Sequence, residues 1–198
     1  MDDHPILREG VAAVLACEND MKIVGEAASG VEALRRFETL APDVTLMDLQ
    51  MPGMNGVDTI KALKKQQPDA RIIVLTTYSG DMKASNALKA GASGYLLKSM
   101  LKDQLTETIR VIHAGGRRIP PEIAAEIAEH LGDEPLSERE LQVLSRVAQG
   151  HTNKEIAREL SISTGTVNAH MKNILLKLHA RDRTQAVTLA LKRGVLEL

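Results

Sequence analysis

The chain has 198 residues, of which 43% are hydrophobic and 26% charged, and a formal net charge of −1. This composition is typical of a folded globular protein, and the length favours two small domains over a single large one. Aromatic residues make up only 2%, which argues against a stacking surface for single-stranded nucleic acid. The single cysteine, Cys17, excludes an internal disulfide and a zinc site built from several cysteines.

The apolar segments of the chain are short. The longest, such as IIVL at 72–75, cannot cross a bilayer, and the first thirty residues lack the charged start and apolar run of a signal peptide. These patterns predict a cytoplasmic protein with no membrane partner.

Charge is distributed unevenly along the chain. Residues 135–198 contain ten Lys and Arg against six acids, a net of +4, which leaves −5 for residues 1–134. An acidic part followed by a basic part suggests that a cation-binding module precedes an anion-binding one, although differences of this size also arise by chance.

The first part of the chain alternates between two hydrophobic periodicities. Helical spacing predicts helices at 5–16, 30–40, 57–65, 81–90 and 102–114, and short β-prone runs predict strands at 21–27, 44–47, 71–77 and 94–97. Strands that alternate with helices of this length indicate an α/β fold, with a doubly wound parallel sheet covered by helices on both faces.

The pattern changes after residue 114. Prolines and glycines in GGRRIPPE (115–122) and GDEP (132–135) predict a linker over residues 115–135 that contains one short helical stretch. Residues 136–198 contain no strand run, and four segments with helical spacing predict a small all-α bundle. Ser137 followed by Glu140 predicts a capping box at the start of its first helix.

Polar side chains follow three strands of the predicted sheet. Asp48, Thr76 and Lys98 each come directly after an apolar run, and Asp2 and Asp3 stand where another strand would end. Because parallel sheets bind ligands at the carboxyl ends of their strands, we expect these groups to converge. Carboxylate oxygens suit Mg²⁺, and a carboxylate can attack a phosphoryl group while cations neutralise the transferred oxygens.

MDDH, TLMDLQMPGMNG, LTTYS and GYLLKS resemble the signature segments of bacterial two-component receiver domains, over roughly residues 1–114. The resemblance implies that Asp48 is the phosphoacceptor. It also implies that Asp3 and Asp48 bind Mg²⁺ together with the backbone carbonyl of Gln50, and that Asp2 assists through water. Gln50 and Tyr78 would tune the lifetime of the aspartyl phosphate.

The same resemblance assigns the switch. Thr76 would move to bond the phosphoryl group, Lys98 would pair with it, and Tyr95 would turn inward. Each residue also has a plainer interpretation: Asp48 as a capping acid, Lys98 as a solvated strand end, Thr76 as an ordinary strand residue, and Tyr95 as core packing. The combined spacing favours the functional interpretation for Asp48 and Lys98 and leaves Tyr95 evenly balanced.

NKEIAREL (153–160), SIS (161–163) and TGTVNAHMKNILLKL (164–178) have the spacing of a helix-turn-helix, whose second helix enters the major groove. Residues 136–178 resemble the LuxR-type DNA-binding domain, and the whole chain resembles a NarL/FixJ-family response regulator. The residues assigned to DNA by this resemblance are Asn168, Ala169 and Lys172. Weaker candidates, mostly for phosphate contact or helix packing, are Thr166, Asn153, Lys154 and His170. Family members often carry Lys where this chain has Asn168, and Asn prefers adenine. A plain helical interaction bundle is the alternative.

The resemblance predicts a transcription regulator of a two-component system and not an enzyme. It would act on double-stranded DNA as a homodimer after a histidine kinase phosphorylates Asp48. The principal alternative is a phosphorylation-independent DNA-binding or interaction protein whose receiver serves only for dimerisation. An Asp-nucleophile phosphatase would need an acid at position 50, which is Gln50.

The sequence begins at the acid pair itself. In the receiver family an apolar strand precedes these acids and lies in the middle of the sheet, so we expect a receiver without its first strand, or a truncated start. Loss of that strand would uncover apolar faces at a cost of several kcal/mol, at ~25 cal/mol per Å². We therefore expect Asp2 and Asp3 to be disordered or displaced, Mg²⁺ to bind weakly, and Asp48 to be better placed than its partners.

Overall fold

The computed structural model describes residues 1–77, 81–130 and 132–196. It divides the chain into two compact units, one of Met1–Ser79 with Lys83–Ala125 and the other of Gly80–Met82 with Glu126–Leu198. The main division falls within the predicted linker, 115–135.

The first unit is built from alternating helices and strands. Its helices are α1 (Pro5–Leu15), α2 (Gly30–Leu40), α3 (Gly56–Gln66), α4 (Asp81–Lys89), α5 (Leu101–His113) and α6 (Pro121–Glu129), the last running into the second unit. Its strands are β1 (Thr45–Asp48), β2 (Ile72–Thr76) and β3 (Gly94–Leu97), and a 3₁₀ turn (Lys98–Met100) joins β3 to α5.

The three strands form one parallel sheet in the order β1–β2–β3. All five residues of β2 are buried. Ile73 and Leu75 share a core with Leu15 of α1 and Leu105 of α5, and successive residues of a strand point to opposite faces. The sheet is therefore covered on both faces, which explains the continuous apolar runs. The predicted α/β class and parallel sheet are confirmed.

The prediction of a strand at 21–27 is wrong, because this segment has no strand or helix assignment. Ile23 and Val24 are exposed, and the segment contacts the strand region through Asp2, whose backbone N–H donates to the Ala27 carbonyl at 3.1 Å. A β-prone sequence becomes a strand only when a neighbouring strand supplies a ladder of hydrogen bonds. In the described part of the first unit, none lies alongside residues 21–26.

A cavity of about 280 Å³ occupies the space between this segment and β1. Its lining is mostly apolar and includes Leu15, Met21, Val24, Phe37 and Leu46. Well-packed domains contain few voids larger than a water molecule, so the first unit is loosely packed at this place.

The second unit is helical in the region that the structure describes beyond α6. It comprises α7 (Glu138–Ala148), α8 (Asn153–Glu159), α9 (Thr164–Lys177) and α10 (Arg183–Lys192). Their shared core is entirely apolar: Val143, Leu144, Val147, Ile156, Ala157, Val167, Met171, Ile174, Leu178, Ala186 and Ala190. The predicted capping box of Ser137 and Glu140 begins α7. The predicted four-helix bundle is confirmed.

Candidate functional site

The carboxylate of Asp48 lies at the carboxyl end of β1 and is only 1% exposed. One oxygen, Oδ2, accepts a hydrogen bond from Lys98 Nζ at 2.7 Å, and the other, Oδ1, accepts one from the Gln50 backbone N–H at 3.1 Å. Lys98 directly follows β3, and β2 lies between the two strands. The sheet thus brings together two groups that are fifty residues apart, as the positions of the strand ends predict.

Asp2 and Asp3 are not displaced, which corrects the expectation from the sequence. Asp2 is 3% exposed, and its Oδ2 lies 2.8 Å from Lys98 Nζ. Backbone hydrogen bonds on both sides hold it: its N–H donates to Ala27, and the carbonyl of Met1 accepts from the Asp48 N–H at 2.9 Å. These backbone hydrogen bonds hold Asp2 beside Asp48 at the end of β1.

Two side chains add to these hydrogen bonds, and neither was predicted from the sequence. Arg8 Nη1 donates to the Asp2 carbonyl at 2.8 Å, while its Nε donates to Glu26 at 2.9 Å. His4 donates its backbone N–H to Asp2 Oδ1 at 2.9 Å, and its ring Nδ1 lies 2.8 Å from Asp3 Oδ1. His4 was interpreted as an exposed loop residue; it is exposed, yet it contacts both acids.

Two carboxylates share one ammonium group, and their pKa values diverge. Burial raises the pKa of Asp48 above its ordinary value, in spite of the hydrogen bond from Lys98. Burial also acts on Asp2, but hydrogen bonds from Lys98 and His4 outweigh it and hold the pKa of Asp2 below its ordinary value. The pKa of Lys98 is raised, because its bonds to both acids outweigh its own burial. Of the two acids, Asp48 is the one that holds a proton more readily.

The donor set at this edge of the sheet suits a divalent cation. Asp2, Asp3, His4 and Asp48 each place a ligand atom within 4.8 Å of the others. Three carboxylates in so small a volume match the preference of Mg²⁺ for a few hard oxygen ligands supplemented by water. The acidic cluster thus fits Mg²⁺ by the chemistry of its ligands.

The two predicted switch residues lie on neighbouring strands. Thr76 ends β2, is 1% exposed, and lies opposite Leu97, the residue before Lys98. Tyr95 lies in β3 and is fully buried. Leu96, the next residue, belongs to the core shared with α1 and α5, so Tyr95 points to the opposite face of the sheet. Tyr78 lies outside the described residues.

In the second unit, α8 and α9 form a helix–turn–helix. Leu160 is the C-cap of α8, and Ser161 adopts a positive φ of 54°. The Ser163 side chain accepts a hydrogen bond from the Thr166 N–H at the start of α9. Ile156 and Val167 are fully buried between the two helices. The backbone conformation of the turn and the apolar contact between Ile156 and Val167 therefore fix the angle between the two helices.

Of the predicted DNA-contacting residues, Asn153 and His170 are half-exposed and the others are exposed: Asn168, Ala169, Lys172, Thr166 and Lys154. Asn168, Ala169 and Lys172 occupy one face of α9, opposite the buried Val167 and Met171. Thr166 takes part in the cap of α9, where its hydroxyl lies 2.8 Å from the Ser163 hydroxyl. The sequence did not predict that Asn153 Nδ2 donates to Asn168 Oδ1 at 2.7 Å. It also missed a second capping box, Thr152 with Glu155, although T-N-K-E has the required spacing.

Two family models match the chain. "Response regulator receiver domain" matches residues 1–110, and "Bacterial regulatory proteins, luxR family" matches residues 134–190. The chain is a response regulator of the luxR family. The family consists of DNA-binding transcription regulators of two-component systems and not of enzymes.

Relatives of this response regulator align along nearly their whole length. LiaR of Bacillus subtilis (strain 168) is 40% identical over 198 residues, covering 96% of this chain and 94% of the relative. VraR of Staphylococcus aureus (strain Mu3 / ATCC 700698) is 35% identical over 202 residues, covering 100% and 97%. Both units of this chain therefore have counterparts in these relatives.

Solved structures support the same assignment. RcsB of Salmonella enterica serovar Typhimurium, bound to promoter P1flhDC with the phosphomimetic BeF₃⁻, is 27% identical, covers 98% of this chain and 96% of that chain, and has a TM-score of 0.73. ChrA, from a heme-sensing two-component system, is 33% identical, with coverage of 98% and 96% and a TM-score of 0.58. None of the described helices of this response regulator has the length and apolar character needed to cross a membrane.

Proposed function

We propose that Asp48 is the phosphoacceptor of this response regulator and that a histidine kinase is its phosphodonor. The observation that carries the proposal is the placement of the Asp48 carboxylate, which is buried at the end of β1, 2.7 Å from Lys98 and clustered with two other acids. An Asp48 oxygen would form a bond to phosphorus as the bond between phosphorus and the donor histidine breaks. Mg²⁺ is the metal proposed for the site; it would be held by Asp3, Asp48 and the Gln50 carbonyl and would supply positive charge to the transferred oxygens.

Lys98 has a defined role in this mechanism. Its ammonium group contacts Asp2 and Asp48 before phosphorylation, so it already lies where the new phosphoryl oxygens would form. Phosphorylation adds negative charge beside a cation that is largely removed from solvent, where the attraction is stronger than in water. Thr76 and Tyr95 are the proposed switch residues, and their positions on β2 and β3 next to Lys98 support this role.

The output of the switch is DNA binding by the second unit. We assign α9 to the major groove, with Asn168, Ala169 and Lys172 towards base edges and backbone and with Lys154 towards phosphate. Exposure of all four residues supports the assignment. A homodimer on two half-sites is the proposed DNA-bound form, since dimers on DNA are described for RcsB. The domain limits 1–114, 115–135 and 136–198 remain predictions.

The test is labelling with radioactive acetyl phosphate in the presence and absence of Mg²⁺. We expect Mg²⁺-dependent, acid-stable and base-labile labelling of the parent chain and none of Asp48→Asn. Asp58→Asn is the matched control, because Asp58 is an exposed acid on α3 of the same unit. Labelling that persists in Asp48→Asn contradicts the assignment.

The rival function is a receiver that acts only in dimerisation and never becomes phosphorylated. Beryllofluoride with Mg²⁺ imitates the phosphorylated aspartate, so we expect it to change the oligomeric state of the parent chain in sizing experiments and to leave Asp48→Asn unchanged. A parent chain whose size and DNA affinity do not respond to beryllofluoride supports the rival.

A further inference from the structure

The DNA-facing surface of α9 contains a pair of amide side chains that are joined to each other. Asn153, the first residue of α8, donates from Nδ2 to Oδ1 of Asn168 on α9 at 2.7 Å. Asn168 is exposed and Asn153 half-exposed. Because Asn168 belongs to the face assigned to the major groove, the bond restrains a side chain that would contact bases.

The direction of this hydrogen bond determines what Asn168 can offer. An amide carries an oxygen acceptor and an NH₂ donor on opposite sides of one carbon. With the oxygen of Asn168 turned towards Asn153 on α8, its NH₂ group faces away from α8 and is the part left to meet DNA. An unrestrained Asn pairs with adenine by using both groups at once, donating to N7 and accepting from N6. The hydrogen bond with Asn153 leaves the NH₂ group of Asn168 available to DNA and turns the oxygen of Asn168 towards α8.

We propose that Asn153 is a positioning residue that makes Asn168 select guanine, whose major-groove edge presents two adjacent acceptors, N7 and O6, over adenine. The proposal rests on the DNA-binding function and refines it at one base pair. It reverses the preference that an isolated Asn at position 168 predicts. Holding the side chain before binding also reduces the entropy lost on the DNA, which strengthens the discrimination.

Neighbouring residues are compatible with this assignment. Ala169 is too short to compete for the same base edge, and Lys172 lies one helical turn further along the same face, where it can reach a different base or a phosphate. Thr152 and Glu155 fix the start of α8 through their capping box, so Asn153 projects from an ordered helix end.

The experiment is selection from a randomised duplex pool by the full chain in the presence of beryllofluoride and Mg²⁺. The base pair whose preference disappears in Asn168→Ala is the one contacted by residue 168. At that position we expect the parent to prefer guanine over adenine by about tenfold. Asn153→Ala frees the oxygen and should shift the preference towards adenine. Asn153→Asp accepts hydrogen bonds only, so Asn168 must rotate its NH₂ group inward and present oxygen, which should favour cytosine N4.

Two controls separate positioning from folding and from general affinity. Lys154→Ala, on the next residue of α8, should weaken binding to all sequences alike without changing the preference at the guanine position. In the Asn168→Ala background, Asn153→Ala should produce no further change there, as a double-mutant cycle requires. Thermal unfolding should be unchanged in all variants, because the substituted residues are exposed or half-exposed.

The outcomes divide clearly. An adenine preference in the parent, or an unchanged preference in Asn153→Ala, overturns the proposal while leaving the DNA-binding function intact. Failure of the parent to enrich any sequence overturns the DNA-binding function and this proposal together.

Discussion

Each unit of this response regulator contains a buried carboxylate paired with a lysine, and the two pairs behave in opposite ways. In the first unit, Asp48 and Asp2 share Lys98, and burial raises the pKa of Asp48. In the second unit, Glu140 has Lys177 at 3.0 Å and also accepts the Ser137 N–H at 2.8 Å. Burial opposes ionisation of Glu140 too, but these hydrogen bonds outweigh it and lower its pKa.

The difference distinguishes a reactive acid from a structural one. Glu140 completes the cap of α7 and pairs with Lys177 of α9, which also contacts the Pro135 carbonyl and the exposed carboxylate of Glu134. Asp48 shares Lys98 with a second acid that is also buried, whereas the second acid on Lys177, Glu134, lies in solvent. A buried site with excess negative charge attracts a cation, and that cation can offset the charge of an incoming phosphoryl group.

Removal of the shared lysine should have the largest effect. Lys98→Met leaves Asp2 and Asp48 buried without their cation, and loss of one partner of a buried pair costs about 3–5 kcal/mol of unfolding free energy. We expect lower amide protection in β1 and β3 by hydrogen exchange, and partial restoration by Mg²⁺ through its charge. Lys102→Met, at an exposed position on α5, is the control. Equal stability of the two variants would show that Lys98 does not balance the acids.

The backbone hydrogen bonds that hold Asp2 can be extended into the cavity beside β1. Five apolar residues added ahead of Met1 would extend its parallel hydrogen bonding and fill part of the 280 Å³ space, raising the unfolding free energy by about 2–4 kcal/mol. Denaturant unfolding measures the gain. A Gly/Ser extension of equal length is the control, and equal stabilisation by both extensions would show that the cavity does not accept the added side chains.

The pair of Glu140 and Lys177 predicts that the second unit loses stability in acid. Because the pKa of Glu140 is lowered on folding, its stabilisation is complete above the unfolded value of about 4.3 and is lost as the pH falls through the lower folded value. Glu140→Gln should remove this pH dependence and cost about 1–2 kcal/mol at neutral pH through loss of the charged pair with Lys177, because glutamine can still complete the capping box. Amide protection in α7 measured between pH 3 and 7 tests both. Glu138→Gln, an exposed acid in the same turn, should retain the parent's pH dependence.

Much of the fold and of the candidate site could be predicted from the sequence, and each wrong prediction has a physical cause. Apolar runs located the three strands, and their carboxyl ends located Asp48 and Lys98, because parallel topology fixes where such ends meet. The prediction of a strand at 21–27 was wrong because a β-prone segment forms a strand only beside a partner strand. The position of Asp2 was misjudged because two backbone hydrogen bonds and the Arg8 side chain hold this residue beside β1. The Asn153–Asn168 contact depends on the angle of a turn, which no spacing rule encodes.

The smallest expected effect concerns the sharing of Lys98 between Asp2 and Asp48. Burial is the main cause of the raised pKa of Asp48, and the negative charge of Asp2 adds to it. Asp2→Asn removes that charge and leaves Lys98 to Asp48 alone, so the pKa of Asp48 should fall while the unfolding free energy changes by less than about 1 kcal/mol. Carbon-13 NMR titration of the Asp48 carboxyl measures the change, with Asp58→Asn as the exposed control. A pKa of Asp48 that rises or stays constant would mean that the two acids do not share Lys98 as a coupled pair.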